Sequence, residues 1–322
     1  MKRQTITIVA GLIAAYSSAL AHAAWPERPI MVIVPYSAGG TGDNIARVTA
    51  EWLSRALKEK VLVENRVGAS GAIAAEYISR APADGYALFM ASAGVMEIVP
   101  HLQKNLRWDS FKSFAPISVV GSNAQAIAVH PSFSAKTLTE LVAYAKERPG
   151  KVPYASSGSG TLAQLTMVVF EQRAGIKLSA VNYKGNAPAL SDVLGGHVPI
   201  YIGGVFEPLS HHKAGKIKII AVSTATRVGH LSDVPTVAEQ GYPGFATATW
   251  NGLMAPAGTP KEVISKVADA LRPACKDSAF VAKLEGMGIE PVCDSPEQFS
   301  TMLHANWKMW QAAVKAAGIS AQ

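Results

Sequence analysis

An α/β architecture of two lobes, each a mostly parallel sheet flanked by helices with a ligand cleft between them, is predicted by three features of the sequence. Strand-like apolar runs alternate with helix-like stretches along most of the chain. A strand, glycine loop, helix, strand unit occurs twice, from Arg28 to Arg66 and from Lys151 to Gly185. Two further stretches, Ala126–His130 and Ala246–Ala255, are placed to carry the chain out to a second lobe and back.

The amino terminus reads as a leader. Met1-Lys2-Arg3-Gln4 is positively charged, Ile6–Tyr16 is apolar apart from Thr7 and Gly11, and Ala21-His22-Ala23 is a small-x-small site. A signal peptide over residues 1–23 is therefore expected, with the mature protein in the periplasm. The apolar run is shorter than the about 20 residues that span a bilayer. Loss of Lys2 and Arg3 leaves 28 cations against 23 anions, so the formal charge of +7 falls to +5.

In the first unit, Pro29–Pro35 is a near-continuous apolar strand, the pattern of a parallel strand covered on both faces. The loop Tyr36-Ser37-Ala38-Gly39-Gly40-Thr41-Gly42 follows. The next helix places Ile45, Val48, Trp52, Ala56 and Leu57 on one face, and Val61–Val63 is the returning strand. Strands are expected at Ala87–Ala91 and Ile117–Val120, and a helix at Leu138–Glu147. The second unit has a strand at Val152–Ala155, the loop Ser156-Ser157-Gly158-Ser159-Gly160-Thr161, a helix from Leu162 to Arg173 and a strand from Leu178 to Tyr183. A helix at Ala187–Leu194, strands at Pro199–Ile202 and Ile217–Val222, and a helical final third complete the reading.

A glycine loop that leaves a strand and opens a helix exposes backbone N–H groups beside the positive end of the helix dipole. That is an anion site needing no cationic side chain. Ser37, Thr41, Ser157, Ser159 and Thr161 add hydroxyl donors, and Asp43 in the first helical turn caps N–H groups or accepts from a ligand.

Other functional classes fit less well. The cations are scattered singly, which argues against a nucleic-acid partner. Gly158-Ser159-Gly160-Thr161-Leu162-Ala163 matches a dinucleotide fingerprint, but the next strand ends at Val181-Asn182-Tyr183 without an acid for a ribose, so no cofactor is expected. No tight metal-ligand spacing is present, and no metal is expected. The string Ser156-Ser157-Gly158-Ser159-Gly160 lacks the first glycine of a nucleophile elbow; a secreted serine hydrolase using Ser157 or Ser159 is the alternative from another class. Cys275 and Cys293, an even pair in an exported chain, are expected to form a disulfide, two buried free thiols being the alternative.

A set of motifs in one order then carries a resemblance. These are Trp25-Pro26-Glu27-Arg28-Pro29, Val34–Asp43, Glu64–Gly71, Ala83-Asp84-Gly85-Tyr86, Ser156–Thr161, Tyr183-Lys184-Gly185 with Pro188-Ala189-Leu190, Asp233–Gly244 and Ala255–Pro260. The chain resembles the Bug-type (TctC-like) solute-binding receptors of tripartite tricarboxylate transporters over nearly all of its mature length.

The resemblance implies a type 2-like periplasmic-binding-protein fold, the "Venus flytrap", with lobe 1 formed by 24–124 plus 248–322 and lobe 2 by 125–247. It implies a monomer without catalytic activity that captures a small organic carboxylate, whether a di- or tricarboxylate, an amino acid or an aromatic acid. The partner it implies is the set of permease subunits of a tripartite transporter, although a receptor feeding a sensor has the same sequence pattern.

Carried onto this sequence, the carboxylate would be held by Tyr36, Ser37, Ala38, Gly39, Gly40 and Asp43 from one lobe. Ser157, Gly158, Ser159, Gly160, Thr161 and Gln164 would hold it from the other. Ser92, Tyr183, Gly203 and Trp250 are the expected specificity residues. Three positions depart from the family pattern. Gln164 stands near a usual His, the strand Pro199–Ile202 runs into Gly203 where an Asp is common, and Glu97 falls where a neutral residue is usual. Glu97 is expected to be an exposed helical residue.

Overall fold

The computed structural model describes residues 25–318; the expected signal peptide lies outside them. The first unit consists of β1 (Ile30–Val34), α1 (Thr41–Leu57) and β2 (Val61–Asn65), and β1 and β2 pair in parallel from Ile30↔Val61 to Val34↔Asn65. After α2 (Ala72–Ser79), β3 (Ala87–Ser92) pairs in parallel with the other edge of β1. The run Ile30-Met31-Val32-Ile33-Val34 is apolar throughout because both faces are covered. Ile30, Val32 and Val34 pack with Ile45 and Leu53 of α1, while Ile33 packs with Phe89 and Ile78.

A π-helical turn, Gly94–Ile98, leads into the short α3 (Val99–Leu102). β4 (Phe114–Val129) then joins two stretches expected as separate strands, Ile117–Val120 and Ala126–His130, into one strand of 16 residues. The polar Gly121-Ser122-Asn123 segment, which reads as an interruption, stays extended because a partner strand pairs through it, from Phe114↔Pro256 to Ala124↔Ala248. From Gln125 onward β4 changes partners.

The second half contains α4 (Leu138–Lys146), β5 (Pro153–Ser156), α5 (Leu162–Ala174), β6 (Ser179–Asn182), α6 (Asn186–Leu194), β7 (Ile200–Gly204), α7 (Phe206–Lys213) and β8 (Lys218–Val222). β5 pairs in parallel with β6 and β7, repeating the arrangement of β1 with β2 and β3. β7 and β8 are both antiparallel to the end of β4. β9 (Ala248–Pro256) returns antiparallel between β3 and β4. α8 (Lys261–Leu271), α9 (Ser278–Glu285), β10 (Glu290–Pro291) and α10 (Pro296–Ala316) complete the chain.

The sheet order is β2-β1-β3-β9-β4-β7-β5-β6, with β8 and β10 also on β4. The parallel pairings lie within the repeated units and between each unit's first strand and the strand that follows the unit. The crossing strands add antiparallel ones, so each half of the sheet is mixed. α10 fastens the two halves: Phe299 and Leu303 enter the core around β3 and β9, whereas Trp310 and Val314 enter the core of the second half with Leu165 and Phe170.

Cys275 and Cys293 are joined by a disulfide, with their Cα atoms 5.9 Å apart. Among the described residues, no helix is long and apolar enough to cross a membrane, and no group of three or more His, Cys, Asp or Glu is placed to hold a metal ion.

Glu97 is not the exposed residue expected from the sequence. It is fully buried, because the π-helical turn points its carboxyl inward onto three N–H donors. The indoles of Trp250 and Trp310 donate to it at 2.9 Å each, and Asn306 Nδ2 donates at 3.2 Å.

Candidate ligand-binding cleft

The two glycine loops reach one cleft. Tyr36 and Ser37 from the first loop, and Ser159, Gly160 and Thr161 from the second, line a hollow of about 620 Å³ together with Ser92 and Thr249. Val67, Val95, Ile98, Val99, Leu102 and Leu162 add apolar lining. A second hollow of about 390 Å³ shares Tyr36, Ser37, Ser92 and Thr249, and runs past Gly40, Thr41 and Gly42 to Asn123, Asn186, Gly204, Glu207 and Asn251.

Each loop is braced from within its own helix. Asp43 Oδ2 accepts the N–H of Gly39 at 2.8 Å, and Gln164 Oε1 accepts the N–H of Gly160 at 2.7 Å, four residues back in both cases. Asp43 also accepts from Arg47 Nε and from Asn65 Nδ2, each at 2.8 Å. Burial acts to raise the Asp43 pKa. The bonds from Arg47, Gly39 and Asn65 outweigh it and hold the carboxyl below the usual range.

Both braces are buried and lie outside the walls of the two hollows. Asp43 and Gln164, expected as ligand contacts, shape the two loops. Where a histidine is usual, Gln164 fixes the Gly160 amide without bringing a charge.

This bracing changes the inventory of anion donors. The amides of Gly39 and Gly160 are committed to the braces, that of Gly40 to Ser37 O and that of Thr161 to Gly158 O. α5 is capped by the Thr161 side chain, but Gly40 gives α1 no side-chain cap. Gly40, Thr41 and Gly42, at the uncapped and positive end of a 17-residue helix, line the smaller hollow. Gly42 is required here: a Cβ would fall 2.5 Å from Cδ2 of Tyr36, whose ring lies over the helix start. The Tyr36 hydroxyl is hydrogen-bonded to Ser92 Oγ, which fastens the loop to the end of β3. Burial raises the Tyr36 pKa and the Ser92 bond opposes it, so the phenol stays neutral.

The sequence profile described as the tripartite tricarboxylate transporter family receptor matches residues 45–319. The chain belongs to this receptor family. BugT of Bordetella pertussis (strain Tohama I) is 32% identical over 295 residues, which cover 91% of this chain and 90% of BugT. Among solved structures, Rpa4515 of R. palustris, determined with adipate, superposes with a TM-score of 0.72 at 32% identity, covering 92% of this chain and 100% of that one. MatC of Rhodopseudomonas palustris, determined with bound malate, gives a TM-score of 0.67 at 25% identity, covering 90% and 100%. As a member of this family, the chain is a solute-binding transport protein with the α/β fold of these relatives.

Not every expected contact of this receptor lies in the cleft. Ala38 and Gly39 are exposed on the first loop but outside both walls. Ser157 and Gly158 act inside the second loop: Ser157 Oγ bonds Thr161 Oγ1 at 3.3 Å, and Gly158 O accepts from the same hydroxyl at 2.7 Å.

The expected specificity residues fare similarly, apart from Ser92. Tyr183 turns its hydroxyl to Asp192 and lines neither hollow. Gly203 is buried beneath Tyr201, and it is Gly204 that reaches the cleft. Trp250 is 1% exposed with its indole committed to Glu97, so it belongs to the core. Its neighbours Thr249 and Asn251 take the cleft side of β9, as strand alternation requires, and that alternation was the signal available in the sequence. Asn123, on the paired strand opposite Thr249, was missed for the same reason.

Proposed function

We propose that this receptor captures a small organic carboxylate in the cleft between the two halves of its sheet and delivers it, as a periplasmic monomer, to the permease subunits of a tripartite transporter. The observation that carries this reading is the meeting of Ser37 and Tyr36 with Ser159, Gly160 and Thr161 in one hollow beside the uncapped start of α1. Anions are stabilised at such a helix start by oriented N–H groups without a counter-cation, and no Lys, Arg or His lines either hollow. The adipate of Rpa4515 and the malate of MatC support a carboxylate as the ligand class here. The lobes in this reading are 24–124 plus 248–322 and 125–247. That division is supported by the partner change of β4 between Ala124 and Gln125 and by the start of β9 at Ala248.

A library of carboxylates screened by thermal shift, alongside mass spectrometry of the gently purified protein, tests the proposal. A few acids should raise the melting temperature, and Gly160→Leu should abolish the shift while leaving the far-ultraviolet spectrum intact. Gly160 has φ +72°, which a leucine adopts only under strain, so the second loop would be displaced. An undiminished shift in this variant, or no response to any acid, would count against the reading.

A further inference from the structure

One end of the second half of the sheet gathers cations that stand singly along the sequence. Its strands lie in the row β8-β4-β7-β5-β6, and each begins or finishes at this end. Val129 pairs with Lys218 and with Ile200, Tyr154 with Ile200, and Pro153 with Ser179. Every strand carries a basic residue there. Lys218 opens β8 and His130 follows β4, while His197, Lys151 and Lys177 stand two or three residues before β7, β5 and β6.

The turns at this end add to the charge. Segments 130–137, 147–152, 175–178, 195–199 and 213–218 hold the six lysines Lys136, Lys151, Lys177, Lys213, Lys216 and Lys218. Arg148 is the one arginine among them and Glu147 the one acid, and these two pair with each other at 2.8 Å. The turns are neighbours in space: Lys136 and Lys218 line one hollow of about 300 Å³ with His212, and the N–H of Gly150 donates to Lys177 O at 2.7 Å. Glu140 and Glu171 also reach this end, where their carboxylates accept the N–H groups of Lys136 and Leu178. Among the described residues none of the six lysines forms a salt bridge, and all but the half-buried Lys136 are exposed.

Like charges held together repel one another, and an anionic partner relieves that cost. The cleft ligand is not that partner, because Ser159 and Gly160 lie beyond the opposite end of β5. The large hydrophobic residues exposed on the described surface are Leu62, Val67, Ile73, Tyr77, Phe206 and Val292, and none of them is in these turns. A protein partner is held mainly by a few buried anchors, chiefly aromatic ones. Acidic lipid headgroups attract lysines by charge alone.

We propose that this basic end of the sheet docks on an anionic phospholipid surface, leaving the cleft at the other end of the strands free to take its ligand. The docking is independent of which solute the cleft binds.

Co-sedimentation with lipid vesicles tests it. The protein should bind vesicles containing phosphatidylglycerol, should ignore vesicles of phosphatidylcholine alone, and should be released by salt. Each lysine near an acidic membrane contributes about fivefold. Lys213→Ala, Lys216→Ala and Lys218→Ala combined should therefore weaken binding about tenfold or more. Lys104→Ala, Lys261→Ala and Lys276→Ala combined remove the same charge from exposed positions in the other half, and should leave binding within about twofold. Both triple variants should keep the melting temperature of the parent, since none of these side chains is hydrogen-bonded or ion-paired among the described residues.

Failure to bind the acidic vesicles, equal binding to neutral ones, or an equal loss in the two triple variants would overturn the proposal. Retention on immobilised polyglutamate without vesicle binding would overturn it in favour of an acidic protein partner. None of these results bears on the carboxylate reading.

Discussion

The buried Glu97 makes stability itself depend on pH, and the direction follows from the structure. Its carboxyl is fully buried against Trp250, Asn306 and Trp310, and burial pushes its pKa from the ordinary 4.5 up to about 8, with the three donors acting in the opposite direction. The folded state therefore binds this proton more tightly than the unfolded chain. The resulting stabilisation is fully present below about pH 4.5 and is lost as the pH rises through about 8. At about 1.4 kcal/mol per pH unit, that interval corresponds to roughly 5 kcal/mol.

Glu97→Gln preserves the shape and removes the titration. Its amide NH₂ must face an indole N–H, which costs about 1–3 kcal/mol at pH 5. Urea unfolding followed by tryptophan fluorescence at pH 5, 6, 7 and 8 should show the wild type more stable at pH 5 and the difference shrinking or reversing by pH 8. All other titrating groups are common to both proteins and cancel in the difference. A gap that stays constant within about 0.5 kcal/mol over this range would refute the assignment of a raised pKa to Glu97.

Further outcomes are expected at the disulfide and at Asp43. The bond between Cys275 and Cys293 closes a short loop, 18 residues apart in sequence, so reduction should cost about 3 kcal/mol in denaturant unfolding. Thiol titration of the denatured protein should then find none before reduction and two after; two before would contradict the bridge. Asp43→Ala removes acceptors for Gly39, Arg47 and Asn65 and should weaken carboxylate binding about tenfold or more, the loss expected when a charged hydrogen-bond partner is removed. Because the Asp43 pKa is lowered, its stabilisation is present above the ordinary 3.8 and lost as the pH falls below it, so wild type and Asp43→Asn should converge in acid. Unchanged ligand affinity in Asp43→Ala, measured by calorimetry, would show that the first loop does not need its brace.

Much of the fold was legible because local pattern and burial agree. The run from Ile30 to Val34 is apolar at every position since helices cover both faces, and the two strand–loop–helix units announce themselves by repetition. The bracing pair was also visible in principle: a polar side chain stands four residues after a loop glycine in both units, as Asp43 after Gly39 and Gln164 after Gly160. What local pattern could not supply was the destination of a side chain whose partners are distant in sequence. Glu97 meets Trp250 and Trp310 at separations of 153 and 213 residues, and nothing near it foretells burial. Gly203 read as the loss of a carboxylate, whereas the space it opens is filled by Tyr201 while Glu207 fills the space beside Gly204.

These distant contacts bear on how the cleft is held. β9 has two faces with separate duties. Thr249 and Asn251 line the cleft, while Trp250 between them is anchored to Glu97. Glu97 belongs to the π-helical turn whose Gly94, Val95 and Ile98 line the larger hollow. It is tied as well to Asn306 and Trp310 of α10, the helix that enters the cores of both halves. One buried carboxyl therefore connects a wall of the cleft, a strand bearing cleft residues and the helix bridging the two halves. In the proposed reading, an anion held by backbone N–H groups needs those groups in fixed positions, because no Lys, Arg or His lines either hollow to follow the ligand. The polar cluster at Glu97 gives that rigidity from behind the cleft, while Asp43 and Gln164 give it within the loops.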